Sequence, residues 1–484
     1  MREGKKRNSA AIRRMKYGGM AAALTAAFLA AAVLLNLVLQ TAAQRVPLSV
    51  DLTANQAFAL SEESKSFLRK LEKPVSITVL IDELTLENAG GYYAQARELI
   101  DQYEKYSSLV EVSYVDPVVN PGIIAQYPEL SLEEYDILVI CGGRQEKTSL
   151  PALFQTGYAQ ATGTQYIQAS CAEREISSAI LRCVSDRREK VLLLTGQEEV
   201  YPDALRELLC DGGYEAAERN LLTDTLDGDA RAVLLMAPQR DLELDMLQKL
   251  EDYLEGGADR TLIFAAHPSS GMLPNLTAFL AQWGITLGDA IVMESDAARY
   301  ANGLPYICLV DYAGADYAED LTASFLSPLG RTIVPSFSEK GVYTTEVLLT
   351  YGESAYARPM DADADWSLDQ EDFGTWPALI RSTRTSHVDG AVYQGRVLAF
   401  ASAASFDAGA LENASVSNRQ YISNVLGVAT ARPDGLTIPT KALAQPQLGI
   451  TQAQYYLYCA LFVVALPVVI LVIGLAVWLR RRSR

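Results

Sequence analysis

The chain is poor in the residues on which most hydrolytic and metal sites depend. It has only two histidines, His267 and His387, among 484 residues, which all but excludes a zinc site built on imidazole. Its six cysteines are scattered, with no C-x-x-C pair and no dense framework, so a small disulfide-stapled scaffold is excluded. One or two bridges among Cys141, Cys171, Cys183, Cys210 and Cys308 stay open, and Cys459 falls inside an apolar run. No G-x-S-x-G or G-x-C-x-G elbow is present to expose a nucleophile. Positive charge is also in deficit: 41 Lys+Arg face 59 Asp+Glu, a formal net charge of −18, which argues against a nucleic-acid binder. With 49 % hydrophobic and 21 % charged residues, the chain is neither disordered nor collagen-like.

A phosphate-binding loop is missing as well, although one segment imitates it. Gly142-Gly143-Arg144-Gln145-Glu146-Lys147-Thr148 follows an apolar strand, but a Walker A loop needs glycine directly before the lysine. Glu146 stands there, and its charge repels phosphate, so the segment is expected to be a hairpin loop and this chain is expected to bind no nucleotide.

What the sequence does have is a strong partition of charge and apolarity. The first sixteen residues carry seven bases and one acid, and the last five carry four arginines; the remaining 30 bases and 58 acids give residues 17–479 a net −28. Beside these basic ends lie two uncharged runs, Gly18 to Leu39 and Tyr455 to Leu479. Each exceeds the roughly 20 residues that cross a bilayer as a helix. Basic clusters outside both runs lead to the expectation of a two-pass bacterial membrane protein with cytoplasmic ends and a large extracytoplasmic middle. The expected division is a basic tail (1–16), a first transmembrane helix (17–40), a first α/β domain (45–172), a larger α/β domain (173–430), a linker (431–453), a second transmembrane helix (455–479) and a basic tail (480–484).

Within the middle, hydrophobic period predicts alternating strands and helices. Ser61 is placed to cap a helix over Glu62–Leu71, and Val75–Ile81, Val110–Val115 and Ile137–Cys141 read as strands around an amphipathic helix from Tyr92 to Tyr106. Val191–Leu194, Val233–Met236 and Leu262–Ala265 are continuous apolar strands separated by amphipathic helices, with Asp241 placed to cap the second of these. That pattern predicts a doubly wound, mostly parallel sheet resembling flavodoxin or a glutamine amidotransferase domain. Short apolar runs at Ile333-Val334, Val347–Leu349 and Val397–Phe400 are expected to extend it.

Three groups of residues stand where chemistry would be expected. Gly196, Gln197, Glu198 and Glu199 follow the first strand of the second unit, at the end where open α/β sheets bind ligands. His267 follows the third strand in the same way. Asp361, Asp363 and Asp365, continued by Asp369 and Asp372, have the carboxylate spacing of a calcium loop, with Trp366 where that loop requires glycine. Beyond that acidic loop, nothing in the sequence asks for a cofactor.

Several stretches, in order, resemble the GldG-like auxiliary components of ABC-type transport systems. They are Val50-Asp51-Leu52-Thr53 with Phe58-Ala59-Leu60-Ser61, Leu71-Glu72-Lys73-Pro74-Val75, Tyr114-Val115-Asp116-Pro117, Val191 to Glu199, Leu250 to Gly257, and Pro467 to Arg482. In the fourth, the family's G-H-G-E turn reads Gly196-Gln197-Glu198-Glu199. The resemblance implies a noncatalytic subunit whose partners are a separate ABC ATPase subunit, a multi-span permease and the lipid bilayer. Two alternatives from other classes are a tethered envelope hydrolase using His267 or the Glu198–Glu199 pair, and a structural envelope-interaction protein without a transporter.

Overall fold

Each of the six apolar runs read as strands does form one, and the computed structural model distributes them over two sheets. It describes residues 58–431 except 90, 159–164, 186–187, 320, 364–365, 370–371 and 389, together with 28, 34, 438 and 441–443. Residues Met1–Ala59 form one unit, of which only Phe28, Leu34, Phe58 and Ala59 are described, and Leu60–Arg484 form another. The elements below belong to the second.

Ser61 opens helix α1 (Glu62–Arg69) by accepting the Ser64 N–H on its hydroxyl, as its position predicts. Strand β1 (Val75–Val79) leads into helix α2 (Gly91–Tyr106), which buries Ala96, Leu99, Ile100 and Tyr103, the face that helical spacing predicts. The crossover returns β2 (Val110–Tyr114) parallel to β1. Strand β3 (Asp136–Cys141) runs antiparallel to β1 and hairpins into β4 (Arg144–Ser149), giving the order β2-β1-β3-β4. The P-loop look-alike is this hairpin: Gly142 sits at φ +60° in its turn, Glu146 binds Arg182 at 2.9 Å and Arg188 at 2.7 Å, and Lys147 binds Asp136 at 3.1 Å. Strands β5 (Phe154–Tyr158) and β6 (Gln165–Ser170) pair separately, and helix α3 (Ala172–Val184) packs on β3 and β4.

The larger sheet begins with β7 (Lys190–Thr195), helix α4 (Asp203–Asp211), β8 (Glu215–Asn220), β9 (Ala232–Met236), helix α5 (Leu244–Glu255), β10 (Arg260–Ala265) and helix α6 (Pro274–Gln282). Strands β11 (Ile285–Glu294), β12 (Ile307–Tyr312), β13 (Phe325–Pro328), β14 (Arg331–Pro335), β15 (Glu339–Lys340), β16 (Tyr343–Thr350), β17 (Ala355–Pro359), β18 (Pro377–Val388) and β19 (Ala391–Phe400) follow, and then helix α7 (Asn418–Ala429). The order is β13-β12-β16-β18-β19-β10-β9-β7-β8, with β15 on β16. From β8 to β19 every pairing is parallel. From β19 to β13 every pairing is antiparallel. The expectation of mostly parallel sheets is therefore corrected: both large sheets are mixed. The reason is local, since parallel neighbours need a crossover of a dozen or more residues, usually helical, and among the described residues no α-helix intervenes between α6 and β19. The run at Ile333-Val334 also departs from expectation, because β14 joins β11 and β17 in a separate three-stranded sheet.

Asp241 caps a different helix from the one predicted. Glu243 stands at the N-cap of α5, while the Asp241 carboxylate accepts N–H groups from Asn275 (2.8 Å) and Leu276 (3.1 Å) at the start of α6. The core is one continuous apolar body from Val191 to Ala429, into which Gly395 of β19 fits so closely that a Cβ would lie 2.6 Å from the Leu254 carbonyl oxygen.

Where α3 meets the larger sheet's helices, three guanidinium groups converge on one carboxylate. Asp211, ending α4, lies 3.5 Å from Arg174 Nε, 3.7 Å from Arg182 Nη1, and is hydrogen-bonded by Arg419 of α7. Glu175 and Glu146 balance two of them, each at 2.9 Å from Arg174 and Arg182. Arg419 Nη1 is buried without a partner. Burial pushes the Asp211 carboxyl up, against the pull of Arg419 and Arg174, and burial with repulsion from Arg174 pushes Arg419 down.

Among the described residues no helix is long and apolar enough to cross a membrane. The expected pair of flanking transmembrane helices, with the two-pass localisation, is corrected accordingly: the structure gives it no support. Apart from Phe28 and Leu34, the stretches 18–39 and 455–479 and both basic tails lie outside the described residues. So does most of the expected linker 431–453, of which Lys441–Ala442 forms strand β20, antiparallel to β6. Cys141, Cys183, Cys210 and Cys308 are free thiols.

Candidate functional site

In the parallel half the chain runs from β7 outward to β8, then crosses back to β9 and continues through β10 to β19. Strand direction of growth reverses between β7 and β9, and the crevice beyond their carboxyl ends is the topological switch point where open α/β sheets hold ligands. The predicted Gly196–Glu199 segment lies in this crevice. Gly196 takes φ +114°, and a Cβ there would lie 2.6 Å from Asn220 Oδ1, so only glycine fits the exit from β7. Two residues with side chains also adopt the left-handed region, one on each side of the switch: Glu198 at φ +63° and Ala237 at φ +43°. Strain of this kind persists only where the surroundings over-determine it.

Those surroundings are specific. The Gln197 carbonyl accepts N–H groups from Gln239 (2.9 Å) and Arg240 (3.3 Å), which ties the loop after β7 to the loop after β9. The Gln197 side chain is buried, its Nε2 3.3 Å from Met246 Sδ. The two glutamates take opposite directions. Glu199 folds back so that Oε2 accepts the Gln197 N–H at 2.8 Å, while its Oε1 is buried without a partner and burial raises its pKa. Glu198 points outward, 3.8 Å from the Arg240 guanidinium, both groups about two-thirds exposed. The pair is thus a structural acid and a surface acid, not two carboxylates facing one reacting bond.

His267 stands one loop further along, after β10. Its Nδ1 accepts the Ser269 N–H at 3.0 Å and lies 2.7 Å from Ser269 Oγ, which also reaches Gln239 Oε1 at 3.3 Å. A ring nitrogen that accepts a backbone N–H is unprotonated, so the neutral ring carries its proton on Nε2. Burial lowers the His267 pKa and nearby Asp407 opposes it; burial raises Asp407 and His267 opposes that. The structure therefore joins Gly196–Glu199 and His267 through Gln239 into one crest. Ser269 is held inside its own turn, which is not the exposed nucleophile of an elbow. His387 is elsewhere, exposed near the tip of the β18–β19 hairpin.

The acidic loop is separate from the crest. Asp361 and Asp363 are exposed in the segment after β17, and Asp365 lies outside the described residues. Among the described residues no group of three or more His, Cys, Asp or Glu is placed to hold a metal ion. Trp366 instead stacks on Tyr356, with centroids 6.2 Å apart and planes at 17° and the Arg358 guanidinium 5.7 Å from its ring, while Asp372 accepts the Asp369 N–H at 2.8 Å.

Sequence reasoning missed Gln239, Arg240 and Asp407. It also missed four exposed apolar residues on the same edge: Val200 after β7, Leu222 after β8, Leu244 at the start of α5 after β9, and Met272 after β10. Each lies within eight residues of a strand's carboxyl end, and that position was the available signal.

A domain of unknown function, DUF7088, matches residues 54–155, which covers the first sheet and not the crest. No curated protein matches the chain. Among solved structures, the N-terminal domain of mmIFT52 is similar to it at 14% identity and TM-score 0.38, covering 50% of this chain and 97% of that one. One component of a GMP synthase from Thermoplasma acidophilum is similar at 12% identity and TM-score 0.27, over 51% of this chain and 96% of its own. PurLQS from Thermotoga maritima is similar at 9% identity and TM-score 0.25, over 50% and 99%. At these scores the likenesses assign neither fold nor function.

Proposed function

We propose that the chain is a noncatalytic accessory component of an ABC-type transport system, working with a separate ATPase and a separate multi-span permease, and that the crest of its larger sheet is the face that binds substrate or partner. The observation that carries this reading is the crest itself. The turn that resembles the GldG-like motif, Gly196 to Glu199, occupies the switch point and is held in a strained shape by the loop after β9. Its outward groups are an acid, a base and exposed apolar side chains, which suit recognition. Its inward groups, Gln197 and Glu199, serve to hold the turn. The P-loop look-alike is a β-hairpin whose Glu146 and Lys147 are engaged in ion pairs, so the reading assigns ATP hydrolysis to another chain.

The test is co-purification of the tagged full-length chain, with the captured subunits identified by mass spectrometry. Recovery of a P-loop ATPase and a multi-span permease in fixed ratio is the expected result; their absence overturns the transport reading. A hydrolase reading has one feature in its favour, the Ser269 hydroxyl 2.7 Å from His267 Nδ1. It requires ester or amide hydrolysis by the purified chain that is lost on His267→Ala.

A further inference from the structure

Single exposed apolar side chains are ordinary on a protein surface, whereas several on one face mark an interaction site. Val200 is 75% exposed, Leu222 48%, Leu244 74% and Met272 91%. Each comes from a different loop, and the four loops follow neighbouring parallel strands, so all four side chains rise from one edge of the sheet. Acids stand near three of them in the sequence: Glu198 and Asp203 about Val200, Asp224 after Leu222, and Glu243 and Asp245 on either side of Leu244. Asp407 adds a further acid beside His267. Against these, Arg240 is the one lysine or arginine in loops 196–202, 237–243, 266–273 and 401–407, and it is paired with Glu198, while in the loop that carries Leu222 the Lys249 ammonium is engaged by the Asp224 carbonyl oxygen.

We infer that this edge docks a cationic amphipathic segment of a partner protein, its apolar stripe on Val200, Leu222, Leu244 and Met272 and its lysines or arginines on the surrounding carboxylates. The inference rests on the reading of the crest as a binding face. Charge complementarity selects the occupant. A second copy of the same edge, an anionic lipid surface and a nucleic acid each bring negative charge to negative charge. A purely apolar segment leaves the carboxylates facing a desolvated contact. A basic amphipathic helix supplies both chemistries at once, because its apolar and charged residues lie on opposite faces at a period of 3.6.

The experiment titrates the full-length chain into a fluorescein-labelled 18-residue amphipathic peptide of leucine and lysine and follows fluorescence anisotropy. The comparison probes are a scrambled peptide of identical composition, a leucine–glutamate counterpart, and vesicles of phosphatidylserine and phosphatidylcholine. Binding of the lysine peptide alone, weakened about tenfold or more by Leu244→Ser/Met272→Ser and by Glu243→Lys/Asp245→Lys, is the expected result. It is overturned by equal binding of the scrambled peptide, which indicates charge attraction without a docking face, and by an equal loss on Val118→Ser/Val119→Ser, exposed residues that follow β2 in the first sheet. Vesicle binding that survives while peptide binding does not also overturns it. The outcome is separable from the transport reading, since a crest that binds the peptide in a chain that recovers no ATPase or permease keeps the docking face and loses the transporter.

Discussion

Replacing Asp211 with alanine removes the single carboxylate on which Arg174, Arg182 and Arg419 converge. At an effective dielectric of about 20, one such pair at 3.5 Å is worth about 5 kcal/mol before desolvation is subtracted. Removing one partner of a buried pair costs about 3–5 kcal/mol, because the remaining charge is stranded. Here Glu175 and Glu146 still balance two of the three guanidinium groups, so one charge is stranded and Asp211→Ala falls in that range. Arg419→Met serves as the internal control. It deletes a buried N–H without a partner and leaves two arginines on Asp211, so it costs less than half as much. Urea unfolding followed by circular dichroism, extrapolated linearly to water, measures both. A loss under about 1 kcal/mol for Asp211→Ala, or a larger loss for Arg419→Met than for Asp211→Ala, refutes the description of this junction as a charge hub.

Glu199→Gln tests the inward acid of the crest. Its raised carboxyl disfavours the ionised folded state, so the variant is more stable than the parent at pH 7 and the gain disappears below the ordinary carboxylate range, as thermal melts across pH will show. Gly196→Ala forces a Cβ to 2.6 Å from Asn220 Oδ1 at a φ of +114°, and is expected to lose about 1–3 kcal/mol in denaturant melts. Gly395→Ala drives a methyl group into the Leu254 carbonyl and costs about 1–3 kcal/mol by the same measurement; an unchanged midpoint contradicts the close approach of β19 to α5. Tyr201→Phe removes a buried hydroxyl that lies 2.6 Å from the Leu194 carbonyl and 2.7 Å from that of Leu234, an expected loss of about 1 kcal/mol.

The elements of the parallel half were legible because their signal is local. Continuous apolar runs such as Val191–Leu194 are buried on both faces, and the stripe Met246, Leu247, Leu250, Tyr253 and Leu254 is the face that α5 buries. Pairing is not local, which is why the antiparallel half escaped. Strand β12 alternates buried and partly exposed residues, and β16 and β18 carry polar side chains over much of their length, so only the apolar runs at Val347–Leu349 and Val397–Phe400 marked this half. Asp241 shows the same limit on a smaller scale: an aspartate before a helix reads as its cap, yet the partners it finds lie more than thirty residues ahead in α6. At the crest, strand-end position singled out Gly196–Glu199 and His267. The left-handed backbone at Glu198 and Ala237, and the ties through Gln239, arise only when two loops meet and leave no trace in either segment alone.

The short pairing of β20 with β6 has a consequence for how the gene product can be handled. Ser170 and Lys441 are cross-strand neighbours, so the chain that departs after β6 comes back to the same place, having built the whole larger sheet on the way. Adjacent strands lie about 4.8 Å apart. Residues 171–440 are therefore an insertion whose two ends open at one doorway, and because its first helix, α3, packs on β3 and β4, a foreign domain seated in place of the larger sheet must leave that helix behind.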